Sequence, residues 1–251
     1  MTAYYNENDP YAAQWLRNLI TAGHIAPGDV DERSIVDVHA DDLRGYTQCH
    51  FFAGIGGWSF ALRLAGWSDD RPVWTGSCPC QPFSGIGKHG KAFDDERHLW
   101  PVWRDLISHF RPANVFGEQV AGGDGLEWLS RVRADLEASG YAVGAANLAA
   151  GLVAAPHKRE RLWFAAVGDA ESIRWRESWQ PVAQTKGGRQ TAGQSPWANE
   201  SSLGTDGRRR RAVPGTPVLA HGIPARISKL RAIGNAIVPQ VAATFIEATM
   251  I

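Results

Sequence analysis

Short apolar runs separated by helical stretches constrain this chain more than any other feature. Residues 47–52, 73–75, 114–116, 142–148 and 162–167 read as core strands. Between them, Gly57 opens a helix carrying Trp58, Phe60, Ala61, Leu64 and Ala65; a second helix covers 99–110, and an amphipathic third covers 125–139. Strands alternating with helices predict an α/β fold, a parallel sheet with helices on both faces. Flanking this core, helices are predicted over 11–22, closed by Gly23 and Pro27, and over 238–250. Residues 35–38 read as a short extra strand, followed by Asp41 and Asp42. From 168 to 228 the periodicity dissolves, with Trp175, Trp179 and Trp197 scattered among Arg, Gln, Gly and Ser. Such a segment is either a disordered insertion or, given its aromatic and Arg content, a surface for a polyanion or base stack.

At 251 residues the chain has room for one catalytic α/β domain and a small appended region. With 26 basic and 26 acidic residues its formal charge is zero, which excludes a uniformly basic nucleic-acid binder but not a local basic face. Arg208, Arg209, Arg210 and Arg211 form the clearest such run, readable also as a solvated loop. Three cysteines argue against a disulfide framework, and the spacing of Cys78 and Cys80 does not suit zinc, so a reduced cytoplasmic setting without a metal is expected. The first residues show no leader pattern, and 141–156 is too short and broken to span a bilayer, so no membrane association is expected.

Two segments point to chemistry. In Pro79-Cys80-Gln81-Pro82-Phe83-Ser84 the prolines stiffen the backbone around a thiol just beyond a strand, which suits a presented nucleophile; the alternative is a small buried residue. Phe52-Ala53-Gly54-Ile55-Gly56-Gly57 sits where a strand meets a helix, and its glycines allow close backbone approach to a ligand at the carboxyl edge of an open sheet.

Taken with Phe116-Gly117-Glu118-Gln119-Val120, His157-Lys158-Arg159-Glu160-Arg161 and Gly234-Asn235-Ala236-Ile237-Val238-Pro239, these segments resemble, in order, the motifs of the DNA cytosine-5 methyltransferase family. The resemblance covers roughly residues 48–243. It implies a Rossmann-like class I methyltransferase sheet with a small irregular target-recognition region, S-adenosylmethionine as cofactor and double-stranded DNA as partner. A restriction endonuclease is a further candidate partner; the oligomeric state is left open. By the same resemblance Cys80 is the nucleophile on cytosine carbon 6, Glu118 contacts ring nitrogen 3, Arg161 holds the exocyclic oxygen and Arg159 supports that loop. The cofactor is assigned to Phe52, Ala53, Gly54, Ile55, Gly56, Gly57, Pro82, Asn235 and Ala236. DNA is assigned to Ser84, Lys88, Lys91 and Arg97, in a loop closing over a flipped base, and to Arg208–Arg211. Without the resemblance, Glu118 also reads as a surface carboxylate, and Arg159 and Arg161 as a solvated charge cluster.

The chain departs from the family at Gly117, Gln119 and His157, and more seriously between Gly54 and Cys80. That interval holds one helix and one strand where the family has two more strands and the acid that takes the ribose hydroxyls. Residues 1–45 are therefore expected to complete the sheet, with Asp37, Asp41 or Asp42 as the replacement carboxylate. The expected organisation is 1–45 as that segment, 46–167 as catalytic domain, 168–228 as target-recognition region and 229–251 as a returning helix. Two other readings stand beside a DNA methyltransferase: a DNA-binding protein with a decayed cofactor site, and an RNA cytosine-5 methyltransferase.

Overall fold

A computed structural model describes residues 3–79, 99–155, 157, 159–168, 201–203, 209–211 and 234–250. Seven strands form one sheet: β1 (Ala3–Asn6), β2 (Gly28–Asp31), β3 (Gln48–Phe51), β4 (Val73–Gly76), β5 (Asn114–Val120), β6 (Ala142–Ala149) and β7 (Glu160–Val167). Their spatial order is β2-β1-β3-β4-β5-β7-β6. Pairings are parallel from β2 through β5, and β7 runs antiparallel between β5 and β6, a reversal that the α/β alternation did not predict. At the amino edge Ala3, Gln48 and Val73 lie side by side in register. The α-helices are α1 (Pro10–Thr21), α2 (Gly57–Leu64), α3 (Trp100–Phe110), α4 (Gly123–Ala138) and α5 (Pro239–Thr249).

The two outer strands thus come from ahead of the glycine-rich turn, but not from the segment read as a strand. Ile35–Asp37 is a single 3-10 turn. Ile35 and Val38 are buried while Val36 and Asp37 are exposed, the i, i+3 spacing of a turn and not the alternation of a strand. β1 is fully buried, and Asp9 starts α1 by accepting from the Tyr11 and Ala12 N–H groups ahead of Pro10 at the first helical position.

Alternation along the strands sorts the core into two layers. On one face Ala3 and Tyr5 pack with Leu16 and Ile25, and Phe116 and Trp163 pack with α2 and α5 through Trp58, Leu62, Val241 and Phe245. The Tyr5 hydroxyl lies 2.9 Å from Ser59 Oγ, joining β1 to α2 on this face. On the other face Tyr4, Phe51, Trp74 and Phe164 pack with the 3-10 turns, α3 and α4. Trp103 sits 6.0 Å from Phe51 and Trp128 sits 6.1 Å from Phe164, ring centroid to ring centroid.

This layering fixes the hand of each connection. β1–α1–β2 moves toward one edge over the first face. The link from β2 to β3, β4–α3–β5 and β5–α4–β6 move toward the other edge over the second face, which is the same hand. β3–α2–β4 also moves toward that other edge, yet α2 lies on the first face. Its hand is therefore opposite to the other four, in a class of connection that is right-handed in about 98% of cases.

A separate hairpin pairs β8 (Ser201–Leu203) with β9 (Arg209–Arg211). It places three residues of the arginine run on a strand and not in a loop.

Candidate active site

The carboxyl ends of β1, β3, β4 and β5 share one edge of the sheet, the place where open α/β sheets bind ligands. The chain leaves β3 through a strained turn. Phe52 has φ 51°, a conformation costly for a side chain with a Cβ, and its ring meets Trp103 edge-on at 6.3 Å. Gly56 follows with φ 81°, and a Cβ there would crowd Ile25 and Leu16 at 3.2 and 3.3 Å. At Gly57 a Cβ would lie 2.6 Å from Ile237. Glycine is needed here because the turn is clamped between α1 and the segment leading into α5.

A narrow cleft opens at this turn, lined by Phe52, Ala53, Gly54, Ile55, Gly57, Trp58, Ser77, Asn235, Ala236 and Ile237. Nothing lies within 4 Å of where a Cβ on Gly54 would sit. Exposed backbone, open space over a glycine and an aromatic ring beside it fit the methionine end of S-adenosylmethionine. Seven residues assigned to the cofactor by sequence (Phe52, Ala53, Gly54, Ile55, Gly57, Asn235 and Ala236) line this one cleft, and Gly56 braces it from behind.

The second half of the site stands on β5 and β7. Val120 pairs with Arg161 and Glu118 with Trp163, so Glu118 and Arg161 project from the same face one step apart. Arg161 Nε donates to Glu118 Oε1 at 2.8 Å. Glu118 is only 7% exposed. Burial raises its carboxyl above the usual carboxylate range, opposed by the charges of Arg161 and Arg159 and by hydrogen bonds from Ser77 and Arg161. Glu118 is therefore not a surface carboxylate, and its strand runs on past the expected end at residue 116 to Val120.

Arg159, at φ 29°, donates through Nη2 to the Gly234 and Ala236 carbonyls at 3.0 and 2.6 Å. Its guanidinium ties the strand that bears Arg161 to the wall of the cleft. Burial, then the neighbouring Arg161, lowers its pKa, with Glu118 opposing.

Trp58 Nε1 donates to Ser77 Oγ at 3.0 Å, and the same Ser77 helps to restrain the rise of the Glu118 carboxyl, so one hydroxyl stands between the cleft and the buried carboxylate. Gln119 Nε2 reaches the Cys78 carbonyl at 3.4 Å. The chain leaving β4 is thereby held against β5 at Cys78. Cys80, Pro82, Ser84, Lys88, Lys91, Arg97 and Arg208 lie outside the described residues.

Sequence reading missed Ser77 and Trp58, whose roles depend on which strand end each meets. It also missed Glu7, which follows β1 and accepts the Gly54 N–H at 2.7 Å through Oε2. Of the three acids expected near the cofactor, two are ion-paired and the third is exposed. Asp42 pairs with Arg33 at 3.0 Å and accepts the His39 N–H; Asp41 pairs with Arg44 at 2.9 Å; Asp37 is exposed on its turn. Among the described residues no cluster could hold a metal ion, and no helix is long and apolar enough to cross a membrane.

The family model for C-5 cytosine-specific DNA methylases matches residues 68–192. A curated type II methyltransferase, M.AplI of Arthrospira platensis, is 32% identical over 133 residues, covering 52% of this chain and 36% of that protein. Among solved structures, a mutant of DNMT2 from Spodoptera frugiperda is 14% identical with a TM-score of 0.43, covering 65% of this chain and 41% of that one. The Dnmt2 methyltransferase of S. pombe is 16% identical with a TM-score of 0.40, covering 82% and 65%. The chain spans from about a third to just under two thirds of the length of these relatives.

Proposed function

We propose that this chain, whose residues 68–192 match the family model for C-5 cytosine-specific DNA methylases, methylates carbon 5 of cytosine in double-stranded DNA through a covalent adduct on Cys80. The observation that carries this reading is the buried Glu118, paired with Arg161, at the sheet edge where Pro79 precedes Cys80 in the chain.

Carbon 5 of cytosine is a poor nucleophile, so the ring must first be activated. The Cys80 thiolate adds to carbon 6, forming a C–S bond and leaving an enamine whose carbon 5 is nucleophilic. Addition is easier if ring nitrogen 3 gains a proton. Glu118 suits that task because burial makes its carboxyl hold a proton more readily than an exposed one. Arg161 keeps Glu118 in place and presents a guanidinium edge to the exocyclic oxygen. Once carbon 5 carries the methyl group, its proton passes to solvent, the bond between carbon 6 and sulfur breaks to return the Cys80 thiolate, and ring nitrogen 3 gives its proton back to Glu118, restoring the aromatic ring. The cofactor supplies an electrophilic methyl group; the cleft residues Phe52, Gly54, Asn235 and Ala236 would hold it, with Arg159 fixing the wall they share. The target base sits inside a duplex, so it must be flipped into this edge, with the 84–97 loop and Arg208–Arg211 as DNA contacts.

Cys80→Ser should abolish methyl transfer while leaving folding and DNA binding in place. The wild-type protein should form a denaturant-resistant adduct with duplex DNA carrying 5-fluorocytosine, in the presence of cofactor. Full activity in the Ser variant would sink the covalent mechanism. Tritium transfer to transfer RNA but not to DNA would move the substrate to RNA while keeping the chemistry.

A further inference from the structure

β4 and β5 are parallel and in register to the sheet edge, where Gly76 lies opposite Gly117. The residues that follow are Ser77 and Glu118, so the two stand abreast. Their side chains share the face that α2 covers. Ser77 keeps the parity of Val73 and Glu118 that of Phe116, and both of those residues belong to the core cluster of Trp58 and Leu62. Trp58 meets the neighbours of both. Its Nε1 donates to Ser77 Oγ at 3.0 Å, and its ring stands edge-on to Trp163, the residue opposite Glu118 on β7, at 5.5 Å between centroids. An indole N–H can only donate, so the Ser77 oxygen is the acceptor in that bond. A hydroxyl carries one proton, which is left to be donated elsewhere.

We infer that Ser77 is a positioning residue for proton transfer: held by Trp58, its hydroxyl donates to Glu118 and stabilises the carboxylate left behind when the proton passes to the base. This rests on the role given to Glu118 under the proposed function. Among the described residues, the charged groups that act on Glu118 are Arg161 and Arg159, both from the β7 side. From β4 comes Ser77, while the Cys78 side chain packs into the core of the opposite face. From α2 comes the uncharged Trp58. Burial raises the carboxyl, and the two guanidinium groups and the Ser77 hydroxyl oppose that rise. A third cation in place of Ser77 would hold Glu118 ionised throughout. A neutral donor pulls less, so the carboxyl can both carry a proton to ring nitrogen 3 and take it back.

The test is the pH dependence of single-turnover methyl transfer to duplex DNA at saturating cofactor, for wild type, Ser77→Ala, Ser77→Thr and Trp58→Phe. On the alkaline limb the rate follows the fraction of Glu118 that still holds its proton. Donation from Ser77 favours the ionised form, so without it that fraction persists to higher pH. In Ser77→Ala the limb should therefore move upward. At a fixed pH on the limb, its rate relative to its own plateau should rise roughly three- to tenfold over wild type, as expected for losing a hydrogen bond to a charged group. Ser77→Thr keeps the hydroxyl and should restore the wild-type limb. Trp58→Phe keeps a ring but releases the hydroxyl, and its limb should move the same way by less. An unmoved limb in Ser77→Ala, or a Thr variant that behaves like Ala, would show that Ser77 only fills space and would overturn the proposal. If Ser77→Ala does not fold, Trp58→Phe decides: an upward shift supports the proposal and an unmoved limb overturns it. A wild type that transfers no methyl group to cytosine would strike the proposed function first and this inference with it, whereas an active wild type with unmoved limbs in the variants strikes the inference alone.

Discussion

Glu118 and Arg161 show how an ion pair can be held in a state useful for proton transfer. Burial raises the carboxyl while the guanidinium at 2.8 Å restrains the rise, so the proton is held neither as loosely as at the surface nor as tightly as in an apolar pocket. Glu118→Gln keeps a donor to ring nitrogen 3 but cannot exchange a proton. The variant should keep near wild-type cofactor affinity and lose about 100-fold or more in kcat, the range of general acid–base assistance. Single-turnover methyl transfer under saturating cofactor measures this, and an unchanged rate would remove Glu118 from the proton path. Glu118 stood out in the sequence through its motif and its place between Phe116 and Val120. Arg161 stood out because the apolar run after it puts it at the entrance of a buried strand, where an unpaired guanidinium would be costly. Glu7 was not legible, because Asn6-Glu7-Asn8-Asp9 looks like any solvated turn until the strand order sets it beside Gly54.

At the scale of elements, the strands and helices from 48 to 167 follow the apolar pattern closely, whereas the outer strands do not. Gly28–Asp31 carries two acids and a glycine and reads as a loop. Its identity as a strand comes from its partner: a Cβ on Gly28 would lie 1.9 Å from the Ala3 carbonyl oxygen, so only glycine permits the two backbones to meet there. Charged residues on such an outer strand also discourage pairing with other chains. Gly28→Ala should push β2 away from β1 and lower stability by about 1–3 kcal/mol, the usual cost of overpacking. A urea titration reads this directly, and an unshifted midpoint would mean that the β1–β2 pairing contributes nothing. The 3-10 turn at 35–37 misled because Ile-Val-Asp-Val has strand composition, while the burial of Ile35 and Val38 depends on the surface beneath them. The antiparallel β7 was hidden for a different reason, since an apolar run carries no sign of direction.

For the whole molecule, the β3–α2–β4 connection of opposite hand follows from the order in which the pieces are strung. If residues 1–45 were inserted between α2 and β4, every parallel connection would share one hand, because α2 would lead to β1 on its own side of the sheet. A chain reading 46–66, 1–45, 67–251 should therefore fold cooperatively and bind S-adenosylhomocysteine like the parent. Thermal unfolding and a binding titration check it, and an insoluble or non-binding product would show that the present order is required. The register explains why such a rearrangement is plausible in length. Ala3, Gln48 and Val73 begin their strands at one level, with neighbours about 4.8 Å apart, so the strands to be reconnected start close to one another. A gene could be broken and resealed along this edge with little cost to the protein, and the linear succession of its segments is then a record of descent more than a requirement of chemistry.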